Sequence, residues 1–296
     1  TRYIGVTGVQ TCALPILVEC PRDAMQGLHD FIPTDKKVAY INQLLKVGFD
    51  TIDFGSFVSP KAIPQMADTA DVLAQLDLKN TKSKLLAIIG NVRGAEDAVK
   101  HETITYLGFP FSISETFQQR NINSSITESV ERVQEIKKLC DDNGKKLMIY
   151  ISMGFGNPYG DPWSAEIAAQ WVEKLVAMNI KYVSLADTIG VANPESINYL
   201  FTHLIPKFPE VDFGAHLHTT PDAWLEKIDA AYKSGCTRFD GAIKGFGGCP
   251  MAADDLTGNM ATENIIQYFD HENVSMGINK FEFRESVRTA LRTFPV

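Results

Sequence analysis

Leu85-Leu86-Ala87-Ile88-Ile89 is a continuous apolar run with no polar alternation. A strand with one wet face alternates apolar and polar side chains. A strand buried on both faces reads as an unbroken hydrophobic run, the habit of parallel sheets covered by helices. Working outward from this run, the same unit recurs along the chain. Strand-like runs lie at 16–20 and 51–54 before it, and at 103–107, 146–151, 182–185, 213–216 and 238–240 after it. Helical patterns separate them. Thr34 is placed to cap an amphipathic segment over 35–47 that Gly48 stops, and Ser59-Pro60 is placed to open another helix. Thr127 leads a charged helix to Asp141, Ser164 caps one to Met178, Pro194 opens one, and 221–233 carries one more. A helix over 262–269 and a C-terminal helical segment finish the chain. Eight strands alternating with helices predict parallel βαβ units closed into a (β/α)8 TIM barrel with a C-terminal helical extension. A dinucleotide-binding doubly wound sheet would want Gly-x-Gly-x-x-Gly after an early strand, and the sequence has none there.

The chain has 296 residues, with Lys+Arg 28 against Asp+Glu 36 and a net charge of −8. This acidic balance argues against non-specific binding to nucleic acid or to anionic membrane. No apolar run approaches the ~18 residues of a membrane span. Five unclustered Cys do not make a disulfide framework, so a reducing compartment is expected, with a bacterial cytoplasmic location. The opening is odd. Gly8-Val9-Gln10-Thr11-Cys12-Ala13-Leu14-Pro15-Ile16 reads as a translated sequencing adapter. Residues 1–16 are therefore expected to be a non-native read-through, followed by a single barrel domain over 17–296.

In such a barrel the chemistry sits where the strands end. The first strand delivers Arg22 and Asp23, the second Asp53 and Ser56, the sixth Asp187, and the seventh His216-Leu217-His218. The eighth leads to the glycine-rich stretch ending in Cys249-Pro250. In His-x-His the two imidazoles share one side of an extended strand, as two ligands of one metal would. Asp23, at a neighbouring strand end, supplies a carboxylate for a mixed nitrogen and oxygen site. The plainer alternative is a pair of hydrogen-bonded rim histidines. Arg22 beside Asp23 is either a cation aimed at a developing oxyanion or a local ion pair. Cys249 is either a functional loop thiol or small apolar filler. Asp53 and Asp187 are either bases or groups that orient the metal ligands.

Together these stretches resemble the hydroxymethylglutaryl-CoA lyases of the metal-dependent lyase and synthase barrel superfamily. The resemblance rests on Pro21-Arg22-Asp23-Ala24-Met25-Gln26, Ser56-Phe57-Val58-Ser59-Pro60-Lys61, Ser184-Leu185-Ala186-Asp187-Thr188, His216-x-His218, Gly247-Gly248-Cys249-Pro250 and Gly258-Asn259. It implies Mg²⁺ or Mn²⁺ held by Asp23, His216, His218 and Asn259. It also implies an acyl-CoA substrate, cleaved to acetyl-CoA and acetoacetate. Arg22 would stabilise the enolate, Cys249 would sit on a closing loop and move a proton, and Asp187 and Asp53 would help with positioning and proton transfer. Gln26 and Ser56 would bind substrate. A homodimer is the family habit, and leucine degradation and ketone-body formation are its usual settings.

The sequence departs from the family pattern in four places. Asp53 stands where the family has Glu. Thr219 stands where it has Asp. The stretch from Cys249 to Asn259 is one residue longer. The first motif usually reads Glu-x-Gly-Pro-Arg-Asp-Gly, whereas Glu19-Cys20-Pro21-Arg22-Asp23-Ala24 is one residue shorter and lacks both glycines. Two alternatives stay open: a lyase or Claisen-type synthase for a related acyl-CoA, and a metal-binding barrel without turnover. The short stretch after the barrel counts against the synthase.

Overall fold

The computed structural model describes residues 14–248 and 257–294. Eight parallel strands close a barrel in sequence order. They are β1 (Ile16–Glu19), β2 (Thr51–Ser56), β3 (Lys84–Ile88), β4 (Ile104–Ser112), β5 (Lys146–Ser152), β6 (Tyr182–Asp187), β7 (Asp212–Leu217) and β8 (Arg238–Gly241). The ring closes where β1 pairs with β8, Ile16 opposite Arg238 and Glu19 opposite Gly241. Ile16, read from sequence as the last residue of the adapter-like segment, is thus the first residue of a barrel strand.

The apolar run of β3 packs into two separate interiors. Leu85, Ala87 and Ile89 join the large core between sheet and helices. Leu86 and Ile88 point inward and join Tyr106, Met148 and Tyr150 in a separate core inside the barrel. The period of two sends alternate side chains to two different apolar interiors, so neither set is polar.

The outer layer among the described residues comprises α1 (Pro21–Gln26), α2 (Thr34–Leu44), α3 (Thr69–Leu73), α4 (Val92–Ala98), α5 (Glu115–Ile122), α6 (Ile126–Asp142), α7 (Ala165–Ala177), α8 (Pro194–Lys207), α9 (Trp224–Lys233), α10 (Thr262–His271) and α11 (Lys280–Thr293). The Ser164 cap and the Pro194 start hold as read. Helix α6 starts earlier than Thr127, because Ser125 and Glu128 form a capping box ahead of it. Two local expectations are corrected. Thr34 lies inside α2, and its hydroxyl donates to Asp68 at 2.8 Å rather than capping the helix. Ser59-Pro60 forms a turn, with the N–H groups of Ala62 and Ile63 donating to the Ser59 carbonyl, and regular helix waits until Thr69. The C-terminal helical extension is present as α11, packed against α2. No helix among the described residues is long and apolar enough to cross a membrane.

Candidate active site

The C-terminal ends of the strands surround one cavity. Its wall includes Arg22, Asp23 and Gln26 from α1, Tyr150 and Ser152 from β5, Thr188 just after β6, and His216 and His218. Apolar side chains such as Val58, Ile63, Ile88 and Phe117 line it as well.

Each functional side chain arrives there for a local reason. Cys20 precedes α1, and Pro21 starts it with a fixed φ and no N–H to lose. This single turn and a half places Arg22, Asp23 and Gln26 on the rim. His216 is on β7, and His218 follows directly and bridges to Asn259. Their Nε2 atoms lie 3.4 Å apart. His218 Nδ1 is 3.0 Å from the Thr257 carbonyl, which can only accept, so that nitrogen carries the proton. His216 Nδ1 lies 3.2 Å from Asp240 Oδ2 in the same manner. Both Nε2 lone pairs are therefore turned toward one point.

Donor atoms of Asp23, His216 and His218 all lie within 4.8 Å of one another, and all three residues are buried. Two imidazole nitrogens and a carboxylate oxygen suit a divalent ion that keeps open positions for substrate oxygens. Two facing lone pairs without a shared proton or cation would repel, so the geometry fits a bound metal. The electrostatics agree. Burial alone would raise Asp23, but the Arg22 guanidinium, the two imidazoles and the Asn259 amide outweigh it and hold the carboxyl down at about 2. Burial and the neighbouring His216 pull His218 down to about 4. His216 is raised, because the Asp240 hydrogen bond and charge overcome its burial.

Arg22 is clamped. Its Nε and Nη2 donate to Asp53 Oδ2 at 3.0 and 2.5 Å, and its Nη1 donates to Asp23 Oδ1 and Gln26 Oε1, both at 2.8 Å. Gln26 Nε2 returns to Asp23 Oδ1 at 2.9 Å. Asp53 sits behind Arg22, and its Oδ1 is buried without a partner. Burial lifts its carboxyl to about 6 against the pull of Arg22. Gly247, at φ +94, lets the strand-eight loop cross this cluster: a Cβ there would meet the Asp23 carbonyl at 2.6 Å and Asn259 Nδ2 at 2.8 Å.

Several sequence expectations are not placed as read. Asn259 turns its amide nitrogen to Asp23 Oδ2 at 2.7 Å and to the Phe246 carbonyl at 2.9 Å, so here it orients the Asp23 carboxylate. Offering its own oxygen to an ion requires the amide to turn. Asp187 does not line the cavity. Its carboxylate pairs with Lys227 Nζ at 2.8 Å and accepts the Ala192 N–H at 3.0 Å. Burial raises it against Lys227. Ser56 does not line the cavity either. Its hydroxyl accepts the Val58 N–H at 3.1 Å, which shapes the turn after β2. Cys249 and the longer stretch that follows it lie outside the described residues. Three side chains around the site escaped the sequence reading. Asp240, on β8, orients His216 from the barrel interior. Lys227 donates to Asp187, Gly190 and His218 at once. Tyr150 lies edge-on to His216, its hydroxyl buried without a partner. Asp240 had one available signal: its place opposite His216 in the β7–β8 register.

A family model described as HMGL-like matches residues 15–289. This chain belongs to the HMGL-like family. A hydroxymethylglutaryl-CoA lyase of Bacillus subtilis, YngG, is 33% identical over 261 residues, covering 87% of this chain and 85% of its own. The mitochondrial hydroxymethylglutaryl-CoA lyase of Bos taurus is 32% identical, covering 88% of this chain and 79% of its own. Among solved structures, an HMG-CoA lyase from Acinetobacter baumannii in complex with coenzyme A and 3-methylmalate superposes with a TM-score of 0.88 at 31% identity. That match covers 95% of this chain and 91% of the other. The fold of this HMGL-like chain is thus shared with HMG-CoA lyases, which are carbon–carbon lyases.

Proposed function

We propose that this cavity cleaves 3-hydroxy-3-methylglutaryl-CoA to acetyl-CoA and acetoacetate, with Mg²⁺ or Mn²⁺ held by Asp23, His216 and His218. The observation that carries the reading is the convergence of those three donors beside the Arg22 guanidinium in one cavity. When bound, the ion supplies a Lewis-acid contact to the tertiary hydroxyl of the substrate and lowers its pKa. The protein supplies the rest. Breaking the C–C bond sends electrons into the thioester, and Arg22, already fixed by Asp53, places positive charge where the enolate oxygen develops. Gln26 keeps Arg22 and Asp23 in register. Asp53 does not line the cavity and holds the guanidinium from behind, so for the base that takes the proton leaving the hydroxyl we choose His216 on the cavity wall. Cys249 remains our choice for returning a proton to the acetyl carbanion. Asp187 acts at one remove, through Lys227 and the His218 carbonyl.

The same reading favours a homodimer, which sedimentation would check. Free, buried Cys20, Cys140 and Cys236 are in keeping with a bacterial cytoplasm. We also keep the adapter-like reading of the first residues as a proposal, and sequencing the source locus with its flanks decides it.

The test is turnover of hydroxymethylglutaryl-CoA with Mg²⁺, following acetoacetate, with an EDTA control. Metal-dependent acetoacetate release is expected. A folded, metal-loaded protein that releases none overturns the substrate. Another 3-hydroxyacyl-CoA then becomes the next substrate to try, with the shortened Asp53 as the first cause to examine.

A further inference from the structure

We propose that Cys20, His216 and Asp240 form a second cation site beneath the first, which takes a thiophilic divalent ion such as Zn²⁺ and switches off the outer site. Their donor atoms lie within 4.8 Å of one another, and the residues are 0%, 8% and 2% exposed. The surroundings carry unspent polarity. Asp240 Oδ1, Asp53 Oδ1 and Tyr150 OH are all buried without a hydrogen-bond partner. Asp240 Oδ2 is 3.2 Å from His216 Nδ1, and the Tyr150 ring lies edge-on to the same imidazole, 5.6 Å between centroids. A buried oxygen without a partner is costly, and Asp240 Oδ1 and Tyr150 OH beside one thiol and one imidazole mark a place that a cation would satisfy.

Sulfur in the donor set sets the selectivity. A thiolate with imidazole and carboxylate suits Zn²⁺ and other soft or borderline ions and is a poor site for Mg²⁺.

The two sites share His216, and this makes the inner one a switch. Through Nε2 the ring faces His218 and the outer site, and through Nδ1 it faces Asp240. A neutral imidazole offers only one lone pair. An inner ion bound at Nδ1 leaves the ring proton on Nε2, and the outer site loses a ligand. Binding displaces the Cys20 thiol proton to solvent and moves the imidazole proton from Nδ1 to Nε2, with no electron transferred. Occupancy of one site therefore opposes occupancy of the other.

The binding claim stands alone, whereas the inhibition claim rests on the proposed lyase activity, so the experiment has two readouts. The metal-free, reduced, full-length protein is titrated with Co²⁺. A thiolate-to-cobalt charge-transfer band in the near ultraviolet is expected. It should be lost when Zn²⁺ is added and absent from Cys20→Ser. No band in the parent protein, or the same band in Cys20→Ser, overturns the site. If Cys20→Ser fails to fold by circular dichroism, Cys20→Ala replaces it. In the second readout, Zn²⁺ is added to Mg²⁺-supported turnover. Cys20→Ser keeps its basal rate and needs at least about 10–100-fold more Zn²⁺ for the same inhibition, since a direct ligand is worth no less than a group that orients one. Equal inhibition of both proteins places the zinc at the outer site and overturns the switch. Should neither protein cleave hydroxymethylglutaryl-CoA, the cobalt band still decides whether the inner site exists.

Discussion

Two buried ion pairs stand at the same barrel rim and do opposite things. Lys227 and Asp187 form one, with 3% and 0% of their side chains exposed. Lys227 spends all three ammonium protons on Asp187, Gly190 and His218, and Asp187 fills its second oxygen with a backbone N–H. Arg22 and Asp53 form the other. Arg22 lines the cavity, and one oxygen of Asp53 is left without a partner. Each pair joins a strand carboxylate to a helix cation, Asp187 of β6 to Lys227 of α9 and Asp53 of β2 to Arg22 of α1. What separates them is saturation: a pair with every valence filled is scaffold, and a pair with a face and an oxygen to spare is chemistry.

The comparison can be broken by exchanging one partner from each pair. Lys227→Met strands Asp187 as a buried charge and should cost about 3–5 kcal/mol of stability. Urea unfolding measures the loss, and the folded fraction should keep its KM. Arg22→Met should cut kcat by on the order of 10²–10³, as removal of one oxyanion donor does, while metal affinity measured by calorimetry persists. If the two variants trade these phenotypes, the assignment of scaffold and chemistry is reversed.

Glu19 sharpens the same point from the pH side. It is wholly buried in β1, with its oxygens on the Ile243 N–H and the Thr262 hydroxyl, and burial pushes its carboxyl up to about 8. The native state therefore keeps a proton that the unfolded chain releases above about pH 4.5. This contribution to stability is complete below that pH and is lost as pH rises toward 8, at a limit of about 1.4 kcal/mol per pH unit. Glu19→Gln mimics the neutral acid, so it should flatten the pH dependence of stability between pH 5 and 8, read by denaturation at each pH. The smallest effect belongs to the solvated pair Lys100–Asp97, 68% and 49% exposed. Lys100→Ala should leave the melting temperature unchanged.

The barrel was legible because helices on the outside and side chains on the inside make its strands apolar on both faces. The meeting of Asp23, His216 and His218 was legible because residues two apart on an extended chain share a side. Asp240 was not, since one polar residue between Phe239 and Gly241 reads as strand interior, and its importance comes from a neighbour in space. Ser56 and Asp187 were misplaced for a related reason. Sequence shows that a residue ends a strand, but not whether it turns into the cavity or behind it. That turn is settled by partners such as Lys227, distant in the chain.

Closure of the ring at β1 and β8 has a kinetic consequence. Asp23 follows the first strand, while His216 and His218 ride near the last, so the donors meet only when the two ends of the barrel pair. That pairing is the most non-local in the ring, and non-local pairing forms slowly. A half-closed intermediate can carry most of its hydrophobic core and still lack the donor triangle. Acquisition of the ion is then a late event that reports a finished fold, and it favours finished molecules over those still open at the seam.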